Sequence, residues 1–203
     1  MKLSKSKYCN GITCNKMLWL KSYKPEVENI INNDSILRQG KEVGEVAKGL
    51  FGEYYDIEFN EDLSKMVKDT KEAIENGNKV ITEASFVEGD NFCSIDILKV
   101  NDNELEVYEV KSATEVMDIY LDDIAYQVYV LVSLGYKVSK ACLVIINNKY
   151  ERDGELELDK LFNIEDVTEI VYNKQDSVKL NIDKINEYMK LKKKNLWGNK
   201  KYY

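Results

Sequence analysis

The order of strand-like and helical segments in the middle of the chain restricts its fold most. Three segments rich in valine and isoleucine, separated by turn residues, have the character of strands and lie at 79–87, 92–100 and 104–111. A helical pattern follows at 115–134, and the next segment, 141–146, is a continuous apolar run typical of a strand buried on both faces. A helix that joins two strands of one sheet implies that these strands are parallel. The sequence therefore predicts an α/β fold with a mixed sheet flanked by helices.

Helical patterns also lie before and after this region. Apolar periodicity predicts helices at 36–50, capped by Ser35, and at 63–75. Ser4 and Thr13 can cap two short helices around Gly11, and much of 166–194 is expected to be helical. The chain of 203 residues has one proline and no linker-like tract, so we predict a single domain. Its predicted parts are basic N-terminal helices at 1–25, a core at about 35–150, and a C-terminal helix with a basic tail at 165–203.

The absence of histidine from the sequence limits the chemistry that the protein can perform. It excludes Ser-His-Asp and Cys-His catalysis, histidine-ligated zinc and histidine general bases. The cysteines contain no Cys-x-x-Cys pair, which favours buried thiols over a zinc site; they are Cys9, Cys14, Cys93 and Cys142. Any catalysis must therefore use carboxylates, lysines, tyrosines, cysteines or a metal ion bound by oxygen atoms.

The net charge of −7 is unevenly distributed, because both ends of the chain are basic. Six lysines and no acidic residue precede Glu26, and six lysines and no acidic residue follow Met189. Basic ends can contact the phosphates of a nucleic acid, or they can simply keep the chain soluble. No apolar run reaches the roughly 18 residues of a membrane span, and the first residues lack the apolar core of a secretory signal. We therefore expect a cytoplasmic protein without a membrane partner.

Two acidic residues are predicted to face each other in a hairpin. Asp102 and Asn103 form a plausible two-residue turn between the second and third strands. With this turn, the numbers of paired residues sum to 205, so Asp96 lies opposite Glu109, with Cβ atoms roughly 5 Å apart. Lys111 lies two positions after Glu109 and therefore shares its face of the strand.

Two carboxylates at this separation repel each other unless a proton or a cation lies between them. The side chains of Asp96 and Glu109, with a backbone carbonyl such as that of Val110, offer the oxygen ligands that Mg²⁺ or Mn²⁺ prefers. Such an ion can lower the pKa of a bound water and neutralise charge on a phosphate, and Lys111 can position that water. The alternative is an exposed, charged strand face or a simple ion pair between Glu109 and Lys111.

Two segments of this hairpin resemble the signature of the PD-(D/E)XK nuclease superfamily. They are Ser94-Ile-Asp-Ile97 and, after the turn, Tyr108-Glu-Val-Lys-Ser-Ala113. The predicted element order also resembles the αβββαβ core of this superfamily, the restriction-endonuclease-like fold. Residues 1–150 are most similar to RecB-type nuclease domains and to the CRISPR-associated exonucleases related to them.

The resemblance implies further site residues. Members of the superfamily carry a histidine or glutamate metal ligand on the helix before the sheet, and Glu45 matches it, with Glu42 as a rival one turn earlier. Gln127 matches a glutamine near the metal and the substrate, whereas Tyr126 and Tyr129 are more simply explained as helix packing. Several relatives also hold an iron–sulfur cluster with one N-terminal and three C-terminal cysteines. No cysteine follows Cys142, so we expect no such cluster.

These observations together predict a metal-dependent deoxyribonuclease that uses Mg²⁺ or Mn²⁺. The resemblance implies an exonuclease that acts on single-stranded DNA or duplex ends in repair, recombination or defence, alone or with a partner protein in a larger assembly. One alternative is a catalytically inactive nucleic-acid-binding or assembly module with the same fold. Another is a fragment of a larger DNA-processing protein.

Overall fold

The computed structural model of the protein describes residues 2–24 and 34–190. In these ranges it has seven strands, β1 (Leu3–Ser4), β2 (Tyr55–Asp56), β3 (Val80–Glu88), β4 (Asn91–Asn101), β5 (Glu104–Lys111), β6 (Lys137–Ile146) and β7 (Phe162–Asp166). The helices are α1 (Lys5–Thr13), α2 (Asn15–Tyr23), α3 (Asp34–Ala47), α4 (Leu63–Glu75), α5 (Asp118–Ser133), α6 (Leu158–Leu161), α7 (Thr168–Asn173) and α8 (Gln175–Lys190), with a 3-10 helix at Lys48–Phe51. Helix α3 begins at Asp34, so Ser35 lies within the helix and the prediction that it caps the helix from outside is wrong. The predicted basic tail after Lys190 lies outside the described residues.

The strands form one mixed sheet in the order β2-β3-β4-β5-β6-β7, with β1 beside β4. Strands β3, β4 and β5 are antiparallel neighbours, whereas β5 and β6 are parallel and are joined by α5. The predicted α/β fold, with a parallel pair across a crossover helix, is therefore confirmed. Helix α5 begins at Asp118, three residues later than the predicted start.

The centre of the sheet is buried on both faces, because apolar residues of β6 alternate between two hydrophobic clusters, whereas the edge strands β2 and β7 are mostly exposed. Ala141, Leu143 and Ile145 belong to the larger cluster, whereas Cys142 and Val144 belong to the smaller one. Residues of α1, α2, α4, α5, α7 and α8 contribute to the larger cluster. The end of α3 and the 3-10 helix contribute to the smaller one. The prediction that the apolar run at 141–146 is a strand buried on both faces is confirmed.

Strands β4 and β5 of the hairpin separate beyond their last pair, Ile97↔Tyr108, and we call this opening the fork. The ladder of the hairpin runs from Asn101↔Glu104 to Ile97↔Tyr108 and has the predicted register. Farther along β4, Asn91 and Phe92 pair with β1 instead, while β3 occupies the other side of the same residues. Strand β1 therefore lies on the side of β4 that β5 occupies nearer the turn.

An irregularity in β3 and β4 lies beside this fork. Glu83 has a φ of 56°, which is uncommon for a residue with a side chain. In the ladder between β3 and β4, Thr82 pairs with Ile97 and Ala84 pairs with Ile95, but Glu83 and Asp96 between them are not paired. Accordingly, Ile97 packs in the smaller cluster and Ile95 in the larger one, although alternation would place both on one face. Asp96 thus lies where β4 changes the face that it presents.

None of the helices in the described parts of the chain is both long enough and apolar enough to cross a membrane.

Candidate active site

Side chains of alternating charge form a connected chain at the fork. Lys5 Nζ lies 2.9 Å from Asp96 Oδ1 and 3.0 Å from Glu109 Oε2. Lys111 Nζ lies 2.6 Å from Glu109 Oε1 and 2.5 Å from Asp123 Oδ2. The order along this charge chain is therefore Asp96, Lys5, Glu109, Lys111 and Asp123. The carboxylates of Asp96 and Glu109, from the two strands of the hairpin, share a single cation.

Asp96 also links the two strands of the fork through its second oxygen. Asp96 Oδ2 accepts a hydrogen bond from the backbone amide of Val110 at 2.8 Å. This contact fixes the carboxylate between β4 and β5, one residue beyond their last pair. Burial and the nearby carboxylate of Glu109 raise the pKa of Asp96, against the opposing effect of the Lys5 ammonium.

Glu109 is the most enclosed member of the charge chain, and three side chains bind its carboxylate. In addition to the two lysines, Gln127 Nε2 donates to Glu109 Oε2 at 2.7 Å. Burial alone would raise the pKa of Glu109, but the ammonium groups of Lys111 and Lys5 together hold it well below its usual range. Glu109 is therefore ionised at neutral pH and positioned by groups from β5, α1 and α5.

Lys111 is held between two acids and an aromatic ring. Its Nζ contacts Glu109 and Asp123 and lies 5.4 Å from the centre of the Tyr120 ring. Burial alone would lower the pKa of Lys111, but these two carboxylates raise it above its ordinary value. Burial and the nearby Glu109 raise the pKa of Asp123 to about 6, despite the opposing effect of Lys111. Lys111 is therefore a fixed positive charge beside the acidic pair.

A fourth carboxylate lies close to the charge chain. Glu83, the residue with the unusual φ, accepts a hydrogen bond from Ser94 Oγ at 3.1 Å. Burial and the nearby Asp96 carboxylate raise the pKa of Glu83, whereas Lys5 lowers it. Strained backbone conformations of this kind often occur at functional sites.

The N-terminal segment is held in position by buried contacts on both sides of Lys5. The amide of Leu3 donates to the Asp90 carbonyl at 2.8 Å, and the Leu3 carbonyl accepts from Tyr126 Oη at 2.5 Å. Tyr8 stacks on Tyr126 with ring centres 4.7 Å apart. These contacts bring the start of α1 to the fork, where the side chain of Lys5 reaches both acids.

The structure brings together four of the residues that the sequence suggested, namely Asp96, Glu109, Lys111 and Gln127. Val110 contributes its amide to the site, and the role of its carbonyl as a metal ligand stays a prediction. Sequence reasoning missed Lys5 and Asp123. Asp123 lies four residues before Gln127 and so shares its helix face, a spacing that could have indicated it. No comparable pattern indicates Lys5.

Glu45 and Tyr126 have other contacts. The carboxylate of Glu45 is largely exposed and pairs with Lys48 at 2.9 Å, and none of its described contacts joins it to the charge chain. Its role as a metal ligand stays a prediction. Tyr126 is fully buried and bonded to Leu3, which agrees with the packing role expected for it.

The donor set fits a hard cation, although the described residues form no ready metal site. Among the side chains that the structure describes, in residues 2–24 and 38–190, no three acidic or cysteine groups stand close enough together to hold a metal ion. However, the oxygens of Asp96 and Glu109 already converge on one positively charged atom, the Lys5 nitrogen. Carboxylate oxygens arranged in this way are the ligands that Mg²⁺ and Mn²⁺ prefer.

Comparisons with known proteins add no family or function to this description. No family model matches the chain, and no curated protein matches it significantly. What the protein does must therefore be inferred from the chemistry of the charge chain and from the elements that position it.

Proposed function

We propose that this chain is a metal-dependent deoxyribonuclease of the PD-(D/E)XK type. One observation carries the proposal: Asp96 and Glu109 from diverging strands share one cation, and Lys111 contacts the same glutamate. An acid on one strand, followed across a short turn by Glu-x-Lys on the next, is the pattern of that superfamily. Phosphodiester hydrolysis needs charge neutralisation beside a positioned nucleophile, and this cluster offers groups for both.

The order of elements supports the assignment of a restriction-endonuclease-like fold. The segment from α4 to β6 runs helix, three strands, helix, strand, and its strands are adjacent in the sheet in the order β3-β4-β5-β6. This order is the one expected of a restriction-endonuclease-like αβββαβ core. Because a fold alone does not define a function, the assignment of nuclease activity depends on the site residues.

In this proposal Asp96, Glu109 and the Val110 carbonyl hold Mg²⁺ or Mn²⁺, and Glu45 is a further ligand if it leaves Lys48. The ion, when bound, would acidify a water molecule and neutralise charge on a phosphate. Lys111 donates a hydrogen bond to the attacking water or to a phosphate oxygen, and Asp123 holds its ammonium in place. Gln127 fixes the orientation of Glu109, so that the carboxylate does not have to reorganise during the reaction.

The expected substrate is DNA, single-stranded or with duplex ends. Before Glu26 all charged side chains are lysines, and Lys5, one of them, belongs to the charge chain. The N-terminal helices α1 and α2 can therefore contact phosphates next to the site. Attack from DNA ends, a role in repair, recombination or defence, and a partner protein follow from the resemblance alone.

One observation favours the alternative of a catalytically inactive nucleic-acid-binding or assembly module. Each of the three acids in the charge chain already has an ammonium partner from Lys5 or Lys111. Such a cluster is nearly charge-balanced without a metal ion and can act as a structural network. The nuclease hypothesis and the inactive-module hypothesis differ in whether the acids bind a metal ion and support hydrolysis.

Incubation of the full chain with labelled linear, circular and single-stranded DNA in Mn²⁺ or Mg²⁺ tests the proposal. We expect cleavage that EDTA abolishes and that Asp96→Asn or Lys111→Met reduces by about 10²- to 10⁴-fold. The matched control is Lys68→Met, which removes an exposed lysine of α4 and should leave cleavage unchanged. Circular dichroism checks that each variant is folded.

Two results would contradict the proposal. Tight DNA binding without metal-dependent cleavage would favour the inactive module. Cleavage that persists in both Asp96→Asn and Lys111→Met would show that the activity belongs to a different site or to a contaminant.

A further inference from the structure

A lysine from the N-terminal segment occupies the gap between the two acids of the proposed metal site. Lys5 Nζ lies 2.9 Å from Asp96 Oδ1, and 3.1 and 3.0 Å from the two oxygens of Glu109. Its side chain is only 22% exposed. Lys5 is separated from the acids by 91 and 104 residues in the sequence, so tertiary packing alone brings them together.

The fold delivers Lys5 to this position through the fork. Strand β1 pairs in parallel with the start of β4, and α1 begins immediately afterwards at Lys5. Ser4 caps α1 by accepting a hydrogen bond from the amide of Lys7, and Leu3 is fully buried. The backbone at Lys5 is therefore fixed on both sides, whereas its side chain has four rotatable bonds and can leave the gap.

We infer that Lys5 is a tethered competitor that the metal ion must displace from Asp96 and Glu109. This inference rests on the proposed function, because it concerns the same pair of acids. Metal ions of the Mg²⁺ type lie about 2.0–2.1 Å from their oxygen ligands. An ammonium that bonds to both carboxylates and an ion that bridges them cannot occupy the same gap, and their like charges repel each other.

The charges of the cluster favour this exchange. With every group ionised, the three carboxylates and two ammonium groups of the charge chain carry a net charge of −1. Replacing the single charge of Lys5 by a divalent ion brings the cluster to neutrality. Lys5 thus neutralises the two acids in part when no metal is bound. The apparent metal affinity equals the affinity of the free gap multiplied by the fraction of time that Lys5 is out of the gap.

Mn²⁺ binding to the full chain, measured by calorimetry and by electron paramagnetic resonance, tests the inference. Lys5→Met keeps an unbranched side chain that is one atom shorter and removes its charge, so it should bind Mn²⁺ more tightly, by roughly 5- to 150-fold, the span typical of coupled sites. The matched control Lys7→Met removes a partly exposed lysine from the same helix and should leave the affinity within about twofold of the original, because Lys7 contacts the Lys2 carbonyl rather than the acids. Glu109→Gln should abolish the binding in each background.

A second measurement uses the unaltered protein and does not depend on the folding of a variant. Acetylation by a lysine-reactive ester, followed by mass spectrometry, reports how accessible each amine is. Mn²⁺ should increase the labelling of Lys5 several-fold by releasing it from the acids. Lys174 serves as the internal reference, because its ion pair with Asp122 at 2.8 Å lies outside the charge chain.

The outcomes separate this inference from the proposed function. If the protein and Lys5→Met bind Mn²⁺ equally, and the labelling of Lys5 does not change, then the competition is refuted while the metal site stands. If neither binds Mn²⁺ through Glu109, both the competition and the metal-dependent nuclease are refuted. Tighter binding by Lys5→Met together with metal-induced labelling of Lys5 supports the inference.

Discussion

Replacing Lys111 by methionine should destabilise the protein strongly. Lys111 bridges Glu109 and Asp123, whose side chains are only 2% and 11% exposed. Removing one partner from a buried ion pair typically costs about 3–5 kcal/mol, because a charge stays buried without compensation. Glu109 still has the Lys5 ammonium 3.0 Å away, so the carboxylate left without a cation is mainly that of Asp123. We therefore expect the lower end of that range, about 3 kcal/mol at pH 8.

The loss of stability caused by Lys111→Met should depend on pH, because it changes the pKa of Asp123. The pKa of Asp123 is raised to about 6, above the value of about 3.9 in an unfolded chain. The Lys111 ammonium lowers the pKa of Asp123, so removing it should raise that pKa further. Above pH 6 the folded variant then binds more protons than its unfolded state, and it gains up to about 1.4 kcal/mol for each pH unit of acidification. The difference in stability between the variant and the original protein should therefore narrow as the pH falls from 8 towards 6.

Urea unfolding followed by circular dichroism in EDTA, at pH 8 and pH 6, measures both effects. The double variant Lys111→Met/Asp123→Leu should recover more than half of the lost stability, because the buried carboxylate is also removed. Lys68→Met on the exposed face of α4 should stay within about 0.5 kcal/mol of the original protein. A cost below about 1 kcal/mol for Lys111→Met, or no recovery in the double variant, would refute the reasoning.

Other parts of the fold allow similar tests. Tyr126→Phe should cost about 1–2 kcal/mol in urea unfolding, because the buried Leu3 carbonyl loses its hydrogen bond. Gly11→Ala should cost about 1–3 kcal/mol, since the added Cβ would lie 2.6 Å from Ile185 Cδ1 and force α1 and α8 to adjust. A thiol reagent should modify one cysteine rapidly in the folded protein, the exposed Cys14, and all four in urea.

Matched controls make these tests specific. Tyr129→Phe changes a tyrosine on the same helix that has no described hydrogen bond, so it should have little effect on stability. Gly44→Ala adds a Cβ with no atom within 4 Å and should stabilise α3 by about 0.5–1 kcal/mol. Rapid modification of Cys93 in the folded protein would contradict its burial, which raises the pKa of its thiol to about 12. Equal effects of Gly11→Ala and Gly44→Ala would contradict the close packing of α1 on α8.

Local patterns were sufficient to predict the register of the hairpin and the burial of β6 on both faces, but not the change of face within β4 at Asp96. The register that sets Asp96 near Glu109 depends on a two-residue turn, and the burial of β6 depends on its own apolar run. Both are short-range properties, because a turn and an alternating strand pattern involve residues that are neighbours in the sequence. The mixed sheet then followed from the helix between β5 and β6.

What surrounds the acids could not be predicted in the same way. Periodicity indicates which face of an element is buried, but it does not indicate which distant element covers that face. Lys5 reaches Asp96 and Glu109 only because β1 fills the fork beside β4, and Glu45 pairs with Lys48 rather than with the charge chain. The sequence by itself therefore determined four strands of the sheet and the pair of acids, while the tertiary structure added β1, β2 and β7 and decided which cation lies between the acids. The physical reason is that pairing of charges across 91 residues depends on the packing of the whole domain, whereas pairing across a turn depends on the backbone alone.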